Sequence, residues 1–217
     1  MTDLHGPYCY QRFAPGKGLA GFVKFFYCFR GRSSQPERIL PLGSTEITFN
    51  LEAGGVKAYI VPPGCVPYFV VPEKMDRTVG ICFSSWGLHG LLKVSPGEIG
   101  KEKAPLGEVL PRLWQESSGH IGDGGSLPAL LSGLEGWLAG KASTARNNLA
   151  EDAIAFIDRQ RGQLQLPELY RRYALSDRRL QMIFRESIGM SPKRYCKLKR
   201  FHFAVTFSFF YNLFRSG

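Results

Sequence analysis

The sequence predicts an α+β protein, with an antiparallel β domain first and an all-helical domain after it. Three observations carry this. Short apolar runs separated by Pro and Gly clusters recur at roughly ten-residue intervals through the first part of the chain, the rhythm of a small all-β domain. From residue 148 onward the apolar residues instead recur at helical spacing between recognisable caps. Charge divides the same way: residues 1–149 hold 15 Lys/Arg against 12 Asp/Glu, net +3, and residues 150–217 hold 13 against 6, net +7. The smaller part carries most of the excess, as expected when one module meets a polyanion and the other does not.

In chain order, residues 1–18 are mixed and include Pro7, Pro15, Gly16 and Gly18, which points to a loosely ordered start. LAGFVKFFYCFRG, from Leu19, is too short for its period to decide, and its aromatic content favours a strand. In ILPLGSTEITFNLE, Ile47 and Phe49 alternate with Glu46, Thr48 and Asn50, the pattern of a half-buried strand. VKAYIVPP, CVPYFVVPE and TVGICFSSWG supply further strands of a small antiparallel sandwich or barrel. Residues 117–126, SSGHIGDGGS, are small and flexible enough for a linker. Behind them Leu127, Leu130, Leu131, Leu134, Trp137 and Leu138 mark an amphipathic helix. Its stripe either packs on the β domain or forms a contact between two chains. A second weak linker, GKASTARN, follows. The expected division is a β-rich domain over 1–118, a linker with its helix over 119–147, and a helical domain over 148–217.

The helical domain opens with Asn148 as N-cap and Leu149, Ala153, Ile154 and Ile157 on one side, the helix ending at Gly162. Residues 167–173 form a short helix, and Ala174, Leu175 and Ser176 leave room only for a tight turn. Ser176 is a good N-cap for the next helix, because its hydroxyl can accept from a free backbone N–H of the first turn. Leu180, Phe184 and Ile188 then share one buried face, and Arg178, Arg179, Gln181, Met182 and Arg185 lie opposite. Gly189 can close that helix in the left-handed conformation, and Pro192 suits the first turn of a last, basic helix with Lys193, Arg194, Lys197, Lys199 and Arg200.

Helix, tight turn, and helix with guanidiniums and an amide on its outer face is the helix-turn-helix pattern, in which the second helix enters the major groove of DNA. The order Ser176, Arg178, Leu180, Phe184, Gly189, Ser191, Pro192, Tyr195, Arg200, Ala204 resembles the first half of the DNA-binding domain of AraC/XylS-type transcriptional regulators. RILPLGSTEITFNL and GICFSSWGLHGLLKVSPGEI are similar to a sensor-like domain of unknown function that precedes that module in one branch of these regulators, which implies a cupin-like β fold. Leu42 stands where that branch has an acidic residue.

The resemblance implies roles for particular residues. Arg178, Gln181 and Met182 lie where base edges are met. Arg178 matches guanine O6 and N7 and Gln181 matches adenine N6 and N7, each contact giving about 1–3 kcal/mol of discrimination. Met182 replaces the arginine usual in the family and suits at most a thymine methyl. Arg172, Arg179, Arg185 and Lys193 are candidates for phosphates, which fix register without reading sequence. Tyr170 and Ala174 replace a small alanine and a turn glycine, so strain is expected between the two helices or in their turn. The helix before them is expected to brace the pair from behind, as its equivalent does in the family. The family module has two such units joined by a long helix. Here that helix starts near Pro192, and VTFSFFYNLFRSG is all that follows Ala204. The expectation is therefore a regulator truncated by a frameshift, an early stop or a comparable lesion, binding DNA weakly and with strong salt dependence. Its tail would finish the helix, pack on the β domain or leave an apolar patch.

Other classes find no support in the residues. Five cysteines, Cys9, Cys28, Cys65, Cys82 and Cys196, are odd in number and unpaired in spacing, which suits reduced thiols acting as apolar fillers in a cytoplasmic protein. Neither a secretory signal nor a membrane-spanning run is expected. His5, His89, His120 and His202 are scattered, with no metal-ligand spacing, and neither a GxSxG elbow nor a phosphate loop occurs, so no enzyme and no cofactor are expected. The expected partners are double-stranded DNA, a second copy of the chain as homodimer, and a small-molecule effector in the N-terminal domain. The alternative is a ligand-sensing or dimerisation protein that has lost specific DNA binding through truncation.

Overall fold

The computed structural model describes residues 8–31, 37–39, 43–64, 68–70, 77–121, 125–142 and 149–215. Leu42, Cys65 and Asn148 lie outside them. The chain forms two compact units, Met1–Ala145 and Arg146–Gly217. An antiparallel sheet dominates the first and helices make the second, which is an α+β architecture.

The strands are β1 (Tyr8–Phe13), β2 (Val23–Gly31), β3 (Glu37–Ile39), β4 (Glu46–Glu52), β5 (Gly55–Val61), β6 (Tyr68–Val70), β7 (Arg77–Phe83) and β8 (Ala104–Pro105). Six form one sheet in the order β1-β2-β7-β4-β5-β8, and β3 pairs with β6. Every pairing is antiparallel. One face of the large sheet is apolar: Phe26, Ile47, Phe49, Ile60, Val79 and Ile81 are all buried.

Two expectations fail here. The start is not loose from Tyr8 on, because β1 pairs with β2 along its whole length, from Tyr8 opposite Gly31 to Phe13 opposite Phe26. Nor is β4 half-buried. It lies inside the sheet between β7 and β5, and its polar residues Thr48 and Asn50 are as enclosed as its apolar ones. Asn50 meets another polar group rather than water, Thr78 Oγ1 donating to its Oδ1 at 3.1 Å.

Among the described residues the first unit also holds the helices α1 (Gly87–Leu92), α2 (Pro96–Ile99), α3 (Leu106–Val109), α4 (Pro111–Ser118) and α5 (Leu127–Lys141). Ser126 caps α5 by accepting from the Ala129 N–H. The apolar stripe of α5 is core: Leu130, Leu134, Trp137 and Leu138 are buried within the chain, and α5 packs on α1. The other two residues of the stripe, Leu127 and Leu131, are half-buried. The start of the expected linker, residues 117–121, is also less free than its composition suggests. Ile121 is buried, the His120 ring stacks on Trp137 at 6.4 Å, and a Cβ on Gly133 would lie 2.5 Å from the His120 carbonyl oxygen.

The second unit holds α6 (Leu149–Arg159), α7 (Leu166–Tyr173), α8 (Asp177–Ile188) and α9 (Pro192–Arg215). Helix α6 packs on α8 and α9, and α8 packs on α9. Ile154, Ile157, Leu169, Leu180, Phe184, Ile188 and Tyr195 are buried, with Phe184 and Tyr195 meeting edge to face at 6.2 Å. Helix α6 ends at Arg159, earlier than expected, because Arg161 and Gly162 turn the chain with consecutive φ values of +53° and +72°. Gly162 then lies so close to α9 that a Cβ would sit 2.2 Å from the Cys196 carbonyl oxygen. Helix α9 runs unbroken past Ala204, so the tail extends that helix to Arg215. Among the described residues no helix is long and apolar enough to cross a membrane.

Candidate nucleic-acid interface

The geometry of the second unit follows from its caps. Ser176 accepts from the Arg179 N–H at 3.3 Å and starts α8; Gly189, at φ +71°, ends it. Ser191 accepts from the Arg194 N–H at 3.3 Å at the start of α9. Between α7 and α8 stand only Ala174, Leu175 and Ser176. Ala174 is left-handed (φ +49°, ψ +41°), a conformation that a Cβ disfavours, which locates the strain expected from the missing glycine. The turn is held by the Leu175 N–H donating to the Tyr170 carbonyl at 3.1 Å.

With Leu180, Phe184, Ser187 and Ile188 turned inward, the other residues of α8 are exposed or half-buried. Arg178, Arg179 and Arg185 are exposed, Met182 is 47% exposed and Gln181 is half-buried. Lys193, Arg194 and Lys197 are exposed on α9. None of these six cations makes an ion pair among the described residues. Other cations of the unit have structural partners. Lys199 pairs with Asp158 at 2.9 Å, and Tyr195 donates its hydroxyl to the same carboxylate at 2.8 Å. Arg200 donates to the Gly162 carbonyl at 3.0 Å, and Arg161 lies 4.4 Å over the Phe203 ring. Arg172 is exposed but its guanidinium sits 4.4 Å over the Phe156 ring, so this predicted phosphate ligand also braces α7 against α6.

A polar link between α7 and α8 has no counterpart in the sequence reading. Asp177, the first residue of α8, accepts from the Tyr170 hydroxyl at 2.5 Å and from Gln181 Nε2 at 2.9 Å, both through Oδ1. The Tyr170 hydroxyl is pushed up to about 12, by burial first and then by its bond to the carboxylate. The Asp177 carboxyl is held below its usual value by Tyr170 and then by Gln181. Tyr170 therefore does more than crowd the helices: it ties them. An acid four residues before an amide was a visible signal for the Asp177–Gln181 half of the link.

The first unit has a second polar feature, on the sheet face opposite its apolar core. Tyr27 lies across Gly80, where a Cβ would come within 2.1 Å of its ring, and donates its hydroxyl to Glu46 Oε2 at 3.0 Å. Burial raises the Glu46 carboxyl, with the Tyr27 bond, Lys24 and Arg12 opposing. Arg12 stacks over Tyr10 at 5.2 Å and Phe25 at 4.6 Å. The Thr48 hydroxyl is buried on β4 with no hydrogen-bond partner among the described residues. Three thiols behave as apolar fillers: Cys28, Cys82 and Cys196 are buried and free, and burial pushes Cys82 up to about 12 and Cys196 up to about 11.

No curated protein matches the chain, and no solved structure matches it. Residues 11–105 match the family described as a domain of unknown function, DUF6597, a stretch that falls wholly within the first unit and fits a separate N-terminal domain.

Proposed function

We propose that the second unit binds double-stranded DNA as a helix-turn-helix and that the protein is a transcriptional regulator of the AraC type. Helix α8 enters the major groove, with Arg178, Gln181 and Met182 toward base edges, and Arg172, Arg179, Arg185 and Lys193 toward phosphates. The observation that carries this reading is the outer face of α8: three exposed arginines with no carboxylate partner among the described residues, directly after a three-residue turn from α7. Exposed cations around a half-buried amide and an exposed thioether can neutralise phosphates while the side chains between them meet bases. The first unit is then a cupin-like sensor domain, and the polar face around Glu46 and Thr48 is where a small-molecule effector would bind. A cytoplasmic homodimer would bring two reading helices to two half-sites.

The test is fluorescence anisotropy of a labelled duplex from the gene's own upstream region, against a scrambled duplex, at low and moderate salt. The reading expects a preference for the upstream duplex and affinity that falls steeply with salt, because each neutralised phosphate releases a counterion.

A second reading has an observation of its own. Asp177 puts a carboxylate beside Gln181, and Ala174 leaves strain in the turn. Both favour a sensor or dimerisation protein in which the helical unit keeps only general polyanion affinity. Equal binding to both duplexes would select it.

A further inference from the structure

Resting on the DNA-binding reading, we propose that Tyr170 and Asp177 are positioning residues for Gln181, so that α7 helps to specify the base that α8 reads. A glutamine amide can face a base in two orientations, which present a donor and an acceptor in opposite order. Gln181 Nε2 donates to Asp177 Oδ1 at 2.9 Å. A carboxylate can only accept, so the flipped amide would set its carbonyl oxygen against Oδ1, two acceptors facing each other. One orientation is thereby fixed.

That orientation still leaves the amide its full reading set. Nε2 carries two hydrogens, and Asp177 takes one. The other hydrogen and Oε1 remain as the adjacent donor and acceptor that match adenine N7 and N6. Asp177 is itself held, because the Tyr170 hydroxyl donates to the same Oδ1 at 2.5 Å from the far side of the turn. The lock spans both helices: Tyr170 belongs to α7, Asp177 and Gln181 to α8, and Leu175 bonds back to the Tyr170 carbonyl between them. A further consequence is electrostatic. Asp177 brings negative charge close to the presented face, which lowers affinity for every sequence alike while it sharpens the choice at one base.

The test is selection from randomised duplexes with the full chain, for wild type, Gln181→Ala, Tyr170→Phe and Asp177→Asn, with thermal melts to verify folding. Gln181→Ala identifies the base position the amide reads. Expected there are an adenine preference in wild type, a fall on the order of tenfold in Tyr170→Phe and Asp177→Asn, and no change at the position read by Arg178. Asp177→Asn should also bind scrambled duplex more tightly than wild type, whereas Tyr170→Phe should not. A merely structural role would weaken all positions together. Without DNA, the Gln181 side-chain amide resonances should shift in Tyr170→Phe, which keeps the ring and remains informative if Asp177→Asn fails to fold. If Gln181→Ala abolishes the preference while Tyr170→Phe keeps the wild-type profile and resonances, the positioning role is overturned and the DNA-binding reading survives. If wild type shows no base preference at all, both fall.

Discussion

The two units differ in how their charged side chains are partnered. In the sheet unit, polar groups face one another: Tyr27 donates to Glu46, Lys24 reaches Ser44, Arg12 covers two aromatic rings, and Lys103 lies 4.3 Å over Tyr59. In the helical unit the cations divide. Lys199, Arg200, Arg161 and Arg172 touch carboxylate, carbonyl or ring, and Arg178, Arg179, Arg185, Lys193, Arg194 and Lys197 have no ion pair among the described residues. The difference separates cations that hold a unit together from cations that the fold leaves exposed. Exposed cations contribute little to folding, so their removal should change binding without changing stability.

The largest effect should come from breaking the helical unit through its closest backbone approach. Gly162→Ala places a Cβ 2.2 Å from the Cys196 carbonyl oxygen at φ +72°, and should destabilise the second unit by about 3 kcal/mol in chemical denaturation. Gly80→Ala in the sheet unit meets the end of the Tyr27 ring, which can swing aside, and should cost about 1–2 kcal/mol.

Ala174→Gly sharpens the comparison from the other direction. It relieves a left-handed residue in the turn and should stabilise the helical unit by about 1 kcal/mol, read by the same denaturation curves, with the sheet unit unchanged. Lys193→Ala should leave melting within about 0.5 kcal/mol of wild type while reducing the slope of log affinity against log salt by about 1. Arg200→Ala should do the reverse, lowering stability through its lost bond to Gly162 with little change in that slope.

The gentlest test concerns pH and the sheet unit. Burial raises the Glu46 carboxyl above 4.5, so the folded state binds the proton more tightly than the unfolded chain. Its contribution is fully present below that unfolded value and is lost as pH rises through the folded one. Glu46→Gln keeps an acceptor for Tyr27 and removes the loss. The variant's melting temperature should exceed that of wild type at neutral pH, and the gap should close as pH falls toward 4.5.

How much of this was legible depended on whether cause and effect were close in the chain. The bounds of α8 followed from Ser176 and Gly189, and its buried face from Leu180, Phe184 and Ile188, because caps and helical period are local. The strain at Ala174 was legible only through the resemblance, which has a glycine in that turn. The burial of Thr48 and Asn50 was not, since it depends on the register that sets Tyr27 opposite Gly80 and both beside β4. Edge strand β1 was hidden by the Pro and Gly residues around it. The Tyr170–Asp177–Gln181 link lay between these cases: its i,i+4 half was readable, but the half that crosses the turn needed the angle between two helices.

The most direct test of the central claim is the anisotropy comparison of upstream and scrambled duplex for wild type and for Arg178→Ala with Gln181→Ala. The account predicts that wild type prefers the upstream duplex, and that the double substitution erases this preference while leaving general affinity and the melting curve nearly unchanged. Equal binding of both duplexes by wild type, or a preference that survives the double substitution, would contradict it.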